Sequence, residues 1–195
     1  MTPVLPYADD LDATLDEIWG MLARGVADRK SPARTPTLAS IGRAGGPALR
    51  TVVLRGCDPR NRCLLMYTDA RTEKAAELAA DPRAALHVYD SRWQRQIRLG
   101  GDVRLHRADD VAVRAWARMP APARANYRMM PSPGTPVAAP SEAAPNAADE
   151  QAENNFSVLA MSVAKIDWVY LAADRHRRAA FEWDGERWRG TWLAP

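Results

Sequence analysis

The chain of 195 residues is poor in cysteine, histidine and lysine, and each shortage narrows what it can be. Cys57 and Cys63 are the only thiols, flanking the turn-rich stretch Asp58-Pro59-Arg60-Asn61-Arg62 between two apolar runs. A disulfide across that hairpin is disfavoured in a reducing compartment. The histidines, His87, His106 and His176, are scattered, and with two cysteines they fit no zinc spacing, so no metal is expected. No apolar run approaches the roughly 20 residues that span a bilayer. The early acids Asp9, Asp10, Asp12 and Asp16 are unlike an export signal. The expectation is a cytoplasmic protein without a membrane partner.

Lysine occurs three times, at Lys30, Lys74 and Lys165, beside 24 arginines. The formal charge of +3 and pI of about 9.1 are mildly basic, but acids and arginines are interspersed. A nucleic-acid binder would gather its charge on one element, so nucleic acid is not an expected partner. Against this background Lys74 stands out. It closes the stretch LMYTDARTEK (Leu65 to Lys74), where an apolar run gives way to a helix. The first helical turn carries a partial positive charge that favours acids. Glu73 obeys that preference and Lys74 does not, unless an anion sits there.

The length fits one domain, 1–195. Leu11, Leu15, Ile18, Leu22 and Val26 recur at spacings of three and four, predicting a helix over 9–29. Strands are predicted at 37–41, 48–55 and 62–68, followed by a helix over 71–80. Strands at 84–89 and 94–105 come next; Gly100-Gly101 in the second marks a bulge or a barrel bend. Helices over 109–118 and 121–129 lead into 130–154, where Pro131, Pro133, Pro136, Pro140 and Pro145 are scattered among Ala, Ser and Gly. That segment reads as a flexible surface loop, either a lid or an inert insertion. Strands at 156–163, 166–171, 178–183 and 187–193 follow, the last two joined by the hairpin signal Asp184-Gly185. The expected architecture is mainly β, an antiparallel barrel or strongly curled sheet with peripheral helices.

Within Arg50-Thr51-Val52-Val53-Leu54-Arg55, strand alternation puts the two arginines on opposite faces, so they cannot both grip one group without a bulge. Arg50 begins this strand, Tyr67-Thr68 ends the next, and Thr72 and Lys74 open the following helix. A phosphate at that junction would accept charged hydrogen bonds from Arg50 and Lys74, a hydroxyl bond from Thr72 and helix N–H bonds. Each charged bond is worth about 1.5–3 kcal/mol, more than the dipole penalty on Lys74.

The order RTVVLR, YTDARTEK, RQIRLGG, then Trp168 with Arg178 ten residues later and a closing WLAP, resembles the pyridoxamine 5'-phosphate oxidase family. The likeness runs from about Thr37 to Pro195, with 130–154 unmatched, and is nearest to a divergent FMN-binding branch rather than the vitamin B6 enzyme. It implies a split β-barrel that works as a homodimer with FMN at the subunit interface. By the resemblance, Arg50 and Lys74 hold the FMN phosphate with Thr72 beside them. Thr51, Val52 and Val53 border the isoalloxazine ring, and Tyr67 and Thr68 also contact the cofactor. Gln96 reaches it from the second subunit, and Trp168 and Arg178 contact it near the end of the chain.

There are departures from the family pattern. Glu73 replaces a second basic residue, and Arg55 replaces a lysine that binds the substrate phosphate. The helix around 115–124 lacks the Tyr and Arg of the substrate site, and Asp174 replaces a basic residue, although His176 is kept. These argue against pyridoxine phosphate as substrate and leave His176 and Arg55 as substrate-side candidates, with no obligatory acid, base or nucleophile. The implied activity is FMN-dependent oxidoreduction of a small-molecule substrate. A flavin-binding module without turnover, a true pyridoxamine 5'-phosphate oxidase, and haem or deazaflavin in the same barrel stand open beside it.

Overall fold

A computed structural model describes residues 5–195. Helix α1 (Leu11–Ala27) begins where the Asp10 carboxylate accepts the Ala13 N–H at 2.8 Å, and Asp12 in its first turn and Arg24 in its last suit the helix dipole. Its Ile18, Met21 and Leu22 are buried against the sheet. A 3₁₀ turn, Pro32–Arg34, leads into β1 (Thr37–Ile41), β2 (Pro47–Thr51), β3 (Leu54–Asp58) and β4 (Cys63–Asp69). Then come α2 (Glu73–Ala80), β5 (Arg83–Asp90), β6 (Arg95–His106), α3 (Asp110–Ala117) and α4 (Ala121–Arg124). The remainder is β7 (Met129–Met130), β8 (Ala144–Pro145), α5 (Asp149–Asn155), β9 (Phe156–Tyr170), β10 (Arg177–Trp183) and β11 (Trp188–Leu193).

Nine strands form one antiparallel sheet in the order β11-β10-β9-β6-β5-β1-β2, with β4 also pairing β9 and β3 pairing β4. This corrects the expectation of a mainly β split barrel. The sheet is open, and with its five helices among the described residues the fold is mixed α/β. The physical reason lies at Val52-Val53. The strand expected over 48–55 is two strands: β2 pairs β1, β3 pairs β4, and no ladder joins β2 to β3. Val52 and Leu54 are both buried, and drawing them inward bends the chain out of one ladder and into another.

The second half differs in the opposite sense. Two strands were expected over 156–171, whereas β9 is continuous and 15 residues long. Along one edge it pairs β6 throughout. Along the other it pairs β4 over Phe156–Ser162 and β10 over Lys165–Tyr170. The register shifts between Gly100 and Gly101, as the paired glycines suggested, and the extra residue, Ala164, lies on β9 opposite them. A Cβ on Gly101 would lie 1.9 Å from the Ser162 carbonyl oxygen. The Asp184-Gly185 hairpin also forms: Gly185 has φ +108°, and Asp184 Oδ1 accepts the N–H groups of Glu186 and Arg187, each at 2.9 Å.

Residues 130–154 carry local order. β7 and β8 pair, α5 closes the segment, and Ala147 and Ala152 are buried. Arg71 Nη2 donates to the Met129 carbonyl at 3.0 Å, Arg128 Nε to Ala147 O at 2.8 Å, and Asn155 Nδ2 to Tyr127 O at 3.0 Å. Arginine and asparagine side chains supply the bonds that this alanine- and proline-rich sequence cannot make for itself. Cys57 and Cys63 are free thiols, and burial pushes Cys57 up to about 11, away from the reactive thiolate. No helix of the described residues is long and apolar enough to cross a membrane.

Gly101→Ala is expected to cost about 2–3 kcal/mol through backbone displacement. Gly100→Ala, whose Cβ would meet only Lys165 Cβ at 3.6 Å, should stay near wild type. Urea denaturation of the two variants checks the contrast.

Candidate functional site

The start of α2 is built by hydroxyl bonds that leave its first turn open. Thr72 takes the N-cap position, but its hydroxyl donates to Asp69 O at 2.6 Å and pairs with Thr68 Oγ1 at 3.2 Å, so it caps no amide of the helix. Thr68 is buried; Asp69 is held by Arg71 through Nη2 to Oδ2 at 2.7 Å. The turn presenting Thr72 and Lys74 is therefore fixed from below.

Opposite it, β2 presents Arg50. Its Nη2 donates to Glu77 Oε2 at 2.6 Å, and its Nη1 to Ala48 O at 3.1 Å and to Ser40 Oγ. Ser40 Oγ in turn donates to Glu77 Oε2 at 2.6 Å. Arg50, Thr72 and Lys74 line one cleft of about 610 Å³, together with Gly42, Arg43 and, from the proline-rich segment, Pro133 and Gly134. Burial, and then the Arg50 charge, lower the Lys74 pKa. Burial would raise Glu77, but the bonds from Ser40 and Arg50 and the charges of Arg50 and Lys74 outweigh it and hold the carboxyl below its ordinary range.

Glu77 is a residue that sequence reasoning missed. A glutamate in an amphipathic helix usually reads as solvated, yet this one is 2% exposed. The available signal was its place three residues after Lys74 and beside Leu78, on the side of α2 that packs inward.

Of the other expected residues, Thr51 is exposed at the end of β2, Val52 is buried at the bend and Val53 is half-buried. Tyr67 points away from Thr68, edge-on to Phe156 at 5.1 Å and beneath the Arg55 guanidinium at 5.9 Å. Arg55 and Tyr67 line a second, smaller cleft of about 220 Å³ with Tyr127 and the apolar Ala115, Met119 and Ala123. Burial pushes the Tyr127 hydroxyl up to about 12. Arg50 and Arg55 thus serve different clefts, as their opposite faces required.

Gln96 lies on the outer sheet face, its Oε1 3.1 Å from His87 Nε2. Cross-strand register sets Tyr89, Gln96, Val169, Arg178 and Leu193 in one row. Next to that row Asp167 Oδ2 accepts from Arg98 and Arg178, each at 2.8 Å. Burial would raise Asp167; the two guanidinium bonds win and lower it. The Trp168 ring faces the other way, 1% exposed, against Tyr7 and Tyr170 at 6.4 and 6.1 Å. It does not join Gln96 and Arg178. His176 borders a cleft with Arg178 and Trp192. Asp174, expected to repel an anion, is paired with Arg177 at 3.2 Å, which also holds Asp9 at 2.8 Å. Within one chain Arg178 stands five strand steps from Arg50, on the order of 20 Å.

Residues 17–107 match the family model described as pyridoxamine 5'-phosphate oxidase, FMN-binding domain. Over those residues, just under half of its length, the chain is similar to that FMN-binding family. A pyridoxine/pyridoxamine 5'-phosphate oxidase of Methylibium petroleiphilum is 37% identical over 82 residues, 42% of this chain and 37% of that one. One of Thermosynechococcus vestitus is 42% identical over 67 residues, 34% of this chain and 31% of that one. The chain therefore spans only about a third of the curated relatives it matches. In fold it resembles a pyridoxamine 5'-phosphate oxidase-related, FMN-binding protein of Nostoc punctiforme, with TM-score 0.77, 22% identity and coverage of 99% of this chain and 100% of that one. It also resembles PhzG of Burkholderia lata, solved with tetrahydrophenazine-1-carboxylic acid, with TM-score 0.76, 19% identity and coverage of 99% and 98%.

The Asp167 cluster gives a stability test. Because the folded-state pKa of Asp167 lies below its ordinary 3.8, its stabilisation is present above that value and is lost as pH falls through the folded pKa. Asp167→Asn should lose about 1 kcal/mol at pH 7. The difference from wild type should close as pH drops below 3.8. Thermal melts across pH test this.

Proposed function

We propose that this protein binds FMN with the phosphate in the Arg50–Thr72–Lys74 cleft, completes the site as a homodimer, and uses the flavin for redox chemistry on a small-molecule substrate in the cytoplasm. The observation that carries this reading is the convergence of two cations and a hydroxyl on the open first turn of α2, inside one cleft. That donor set suits a phosphate: charged hydrogen bonds from either side and a helix start with its partial positive charge. Thr51, Val52, Val53, Tyr67 and Thr68 then border the rest of the cofactor through the backbone of β2, the bend that follows it, and β4.

The dimer is supported by the outer sheet face. Leu49 is 65% exposed, Tyr89 44% and Leu193 38%, all on the face that carries Gln96 and Arg178. Exposed apolar side chains beside polar ones suit an interface. A second copy would bring Gln96 and Arg178, too distant within their own chain, to the cleft of its partner. Trp168 would act from beneath as packing for β9.

Flavin, when bound, supplies the electron transfer, while protein groups bind and orient it. Arg50 and Lys74 hold the charged tail, with Thr72 beside them shaping the turn; Gln96 and Arg178 offer polar contacts from the neighbouring subunit. On the substrate side, Arg55 offers a cation over Tyr67 at the mouth of the smaller cleft, and His176 a second polar group. The lining of that cleft joins the apolar Ala115, Met119 and Ala123 to the cations Arg55 and Arg118, which suits a compact, partly apolar substrate. The same sparse lining favours the second reading, a flavin-binding module without turnover. The chain acts as one FMN-binding unit, with 130–154 contributing Pro133 and Gly134 to the cleft.

Purified protein should be yellow, or become so on titration with FMN, and reduction by NAD(P)H or an amine followed by reoxidation in air separates turnover from mere binding. A colourless protein that FMN leaves unchanged defeats the proposal. Lys74→Ala is expected to weaken FMN about 10–100-fold, as befits one charged bond, with riboflavin unaffected. Because Lys74 must be charged to bind and its pKa is lowered, wild-type affinity should fall as pH rises through a value below 10.5. Lys74→Arg should carry the affinity to higher pH, which fluorescence titration would detect.

A further inference from the structure

Glu77 takes no part in the reading above, yet it holds the inner end of Arg50. A guanidinium has five N–H donors. In Arg50, Nη1 gives to Ala48 O and Ser40 Oγ, and Nη2 gives to Glu77 Oε2. Ser40 Oγ and Glu77 Oε2 are themselves bonded at 2.6 Å, so together they face the Nη1–Nη2 end of the fork. The side edge, Nε–H with the second Nη2–H, is left over, and Arg50 keeps 22% of its side chain exposed at the cleft. Two parallel donors on one edge are what a phosphate accepts in bidentate fashion.

Glu77 also adds a negative charge beneath a cleft whose cations are Arg43, Arg50 and Lys74 and which already carries Glu73 at its mouth. We propose that Glu77 is a positioning residue that turns the side edge of Arg50 outward and, by its charge, limits how tightly the cleft holds a phosphate monoester. This rests on the FMN reading, and it goes beyond it by assigning the affinity of the site to a buried acid that need not touch the ligand. The two effects have opposite signs, and substitution separates them. A glutamine carbonyl can accept the bonds from both Ser40 and Arg50 while removing the charge. Alanine removes the charge and the anchor together.

The experiment is titration of wild type, Glu77→Gln and Glu77→Ala with FMN and, separately, with riboflavin, which lacks the phosphate. E77Q should bind FMN about tenfold more tightly than wild type, the scale of removing one like charge at short range. E77A should bind it at least about tenfold more weakly, as expected when Arg50 loses its orientation. Riboflavin affinity should be the same in all three. A purely structural role for Glu77 would move both ligands together, and that result overturns the inference, as does E77Q binding FMN no better than wild type. Should E77A fail to fold, the E77Q result alone decides between these outcomes. A wild type that binds neither ligand overturns the cofactor reading and this inference with it, a pattern distinct from failure of the Glu77 role alone.

Discussion

The approach of Gly101 to the Ser162 carbonyl is the contact on which the rest of the architecture turns. Only a residue without a Cβ lets β6 pass that close to β9, and the register slip there gives the long strand a change of course. On one side of the slip β9 is partnered by β4, on the other by β10. One strand thereby serves two groups of neighbours, and the sheet fans out instead of closing. The junction bearing Thr68 and Thr72 hangs from the first group, and the Asp167–Arg178 pair from the second.

The bend at Val52-Val53 has a parallel effect on chemistry. Because the chain leaves one ladder and enters another within two residues, guanidiniums five positions apart are delivered to separate clefts of different character. The larger is cationic at its walls and acidic at its base. The smaller joins aromatic and aliphatic side chains to two arginines, Arg55 and Arg118, with no acid in its lining. A substrate and a phosphorylated cofactor would be sorted by that difference before any specific contact is made.

Much of this was legible in residues whose local physics has one solution. Thr37–Ile41 alternates and is bounded by proline and glycine, so its limits were read correctly; Gly100-Gly101 and Asp184-Gly185 announced a bulge and a turn that form. Arg50, Thr72 and Lys74 were grouped from the order of their elements, and they line one cleft. What was hidden depends on tertiary context. No local signal splits an apolar strand at two valines, or keeps 156–171 in one piece, because both follow from which neighbour offers a ladder. A barrel was expected because hairpin connections do not reveal whether the outermost strands meet. The place of Glu77, and the side of β9 that Trp168 takes, were hidden for a common reason: a side chain's worth depends on the face it occupies. Asp167 and Trp168 are adjacent, one directed outward to two arginines and the other sealed against Tyr7.

The tilted contact of Trp19 with Trp188, ring centres 6.2 Å apart, has a consequence for how the chain comes to be folded. Helix α1 leaves the ribosome long before β11, yet one wall of its binding site is made by that strand. Until residue 188 emerges, the apolar side of α1 lacks that partner and must wait, exposed, while the intervening strands are made. Contacts of such sequence separation are slow to form and leave hydrophobic surface open to wrong partners meanwhile. Nascent chains halted before the last hairpin would be the species most in need of a chaperone.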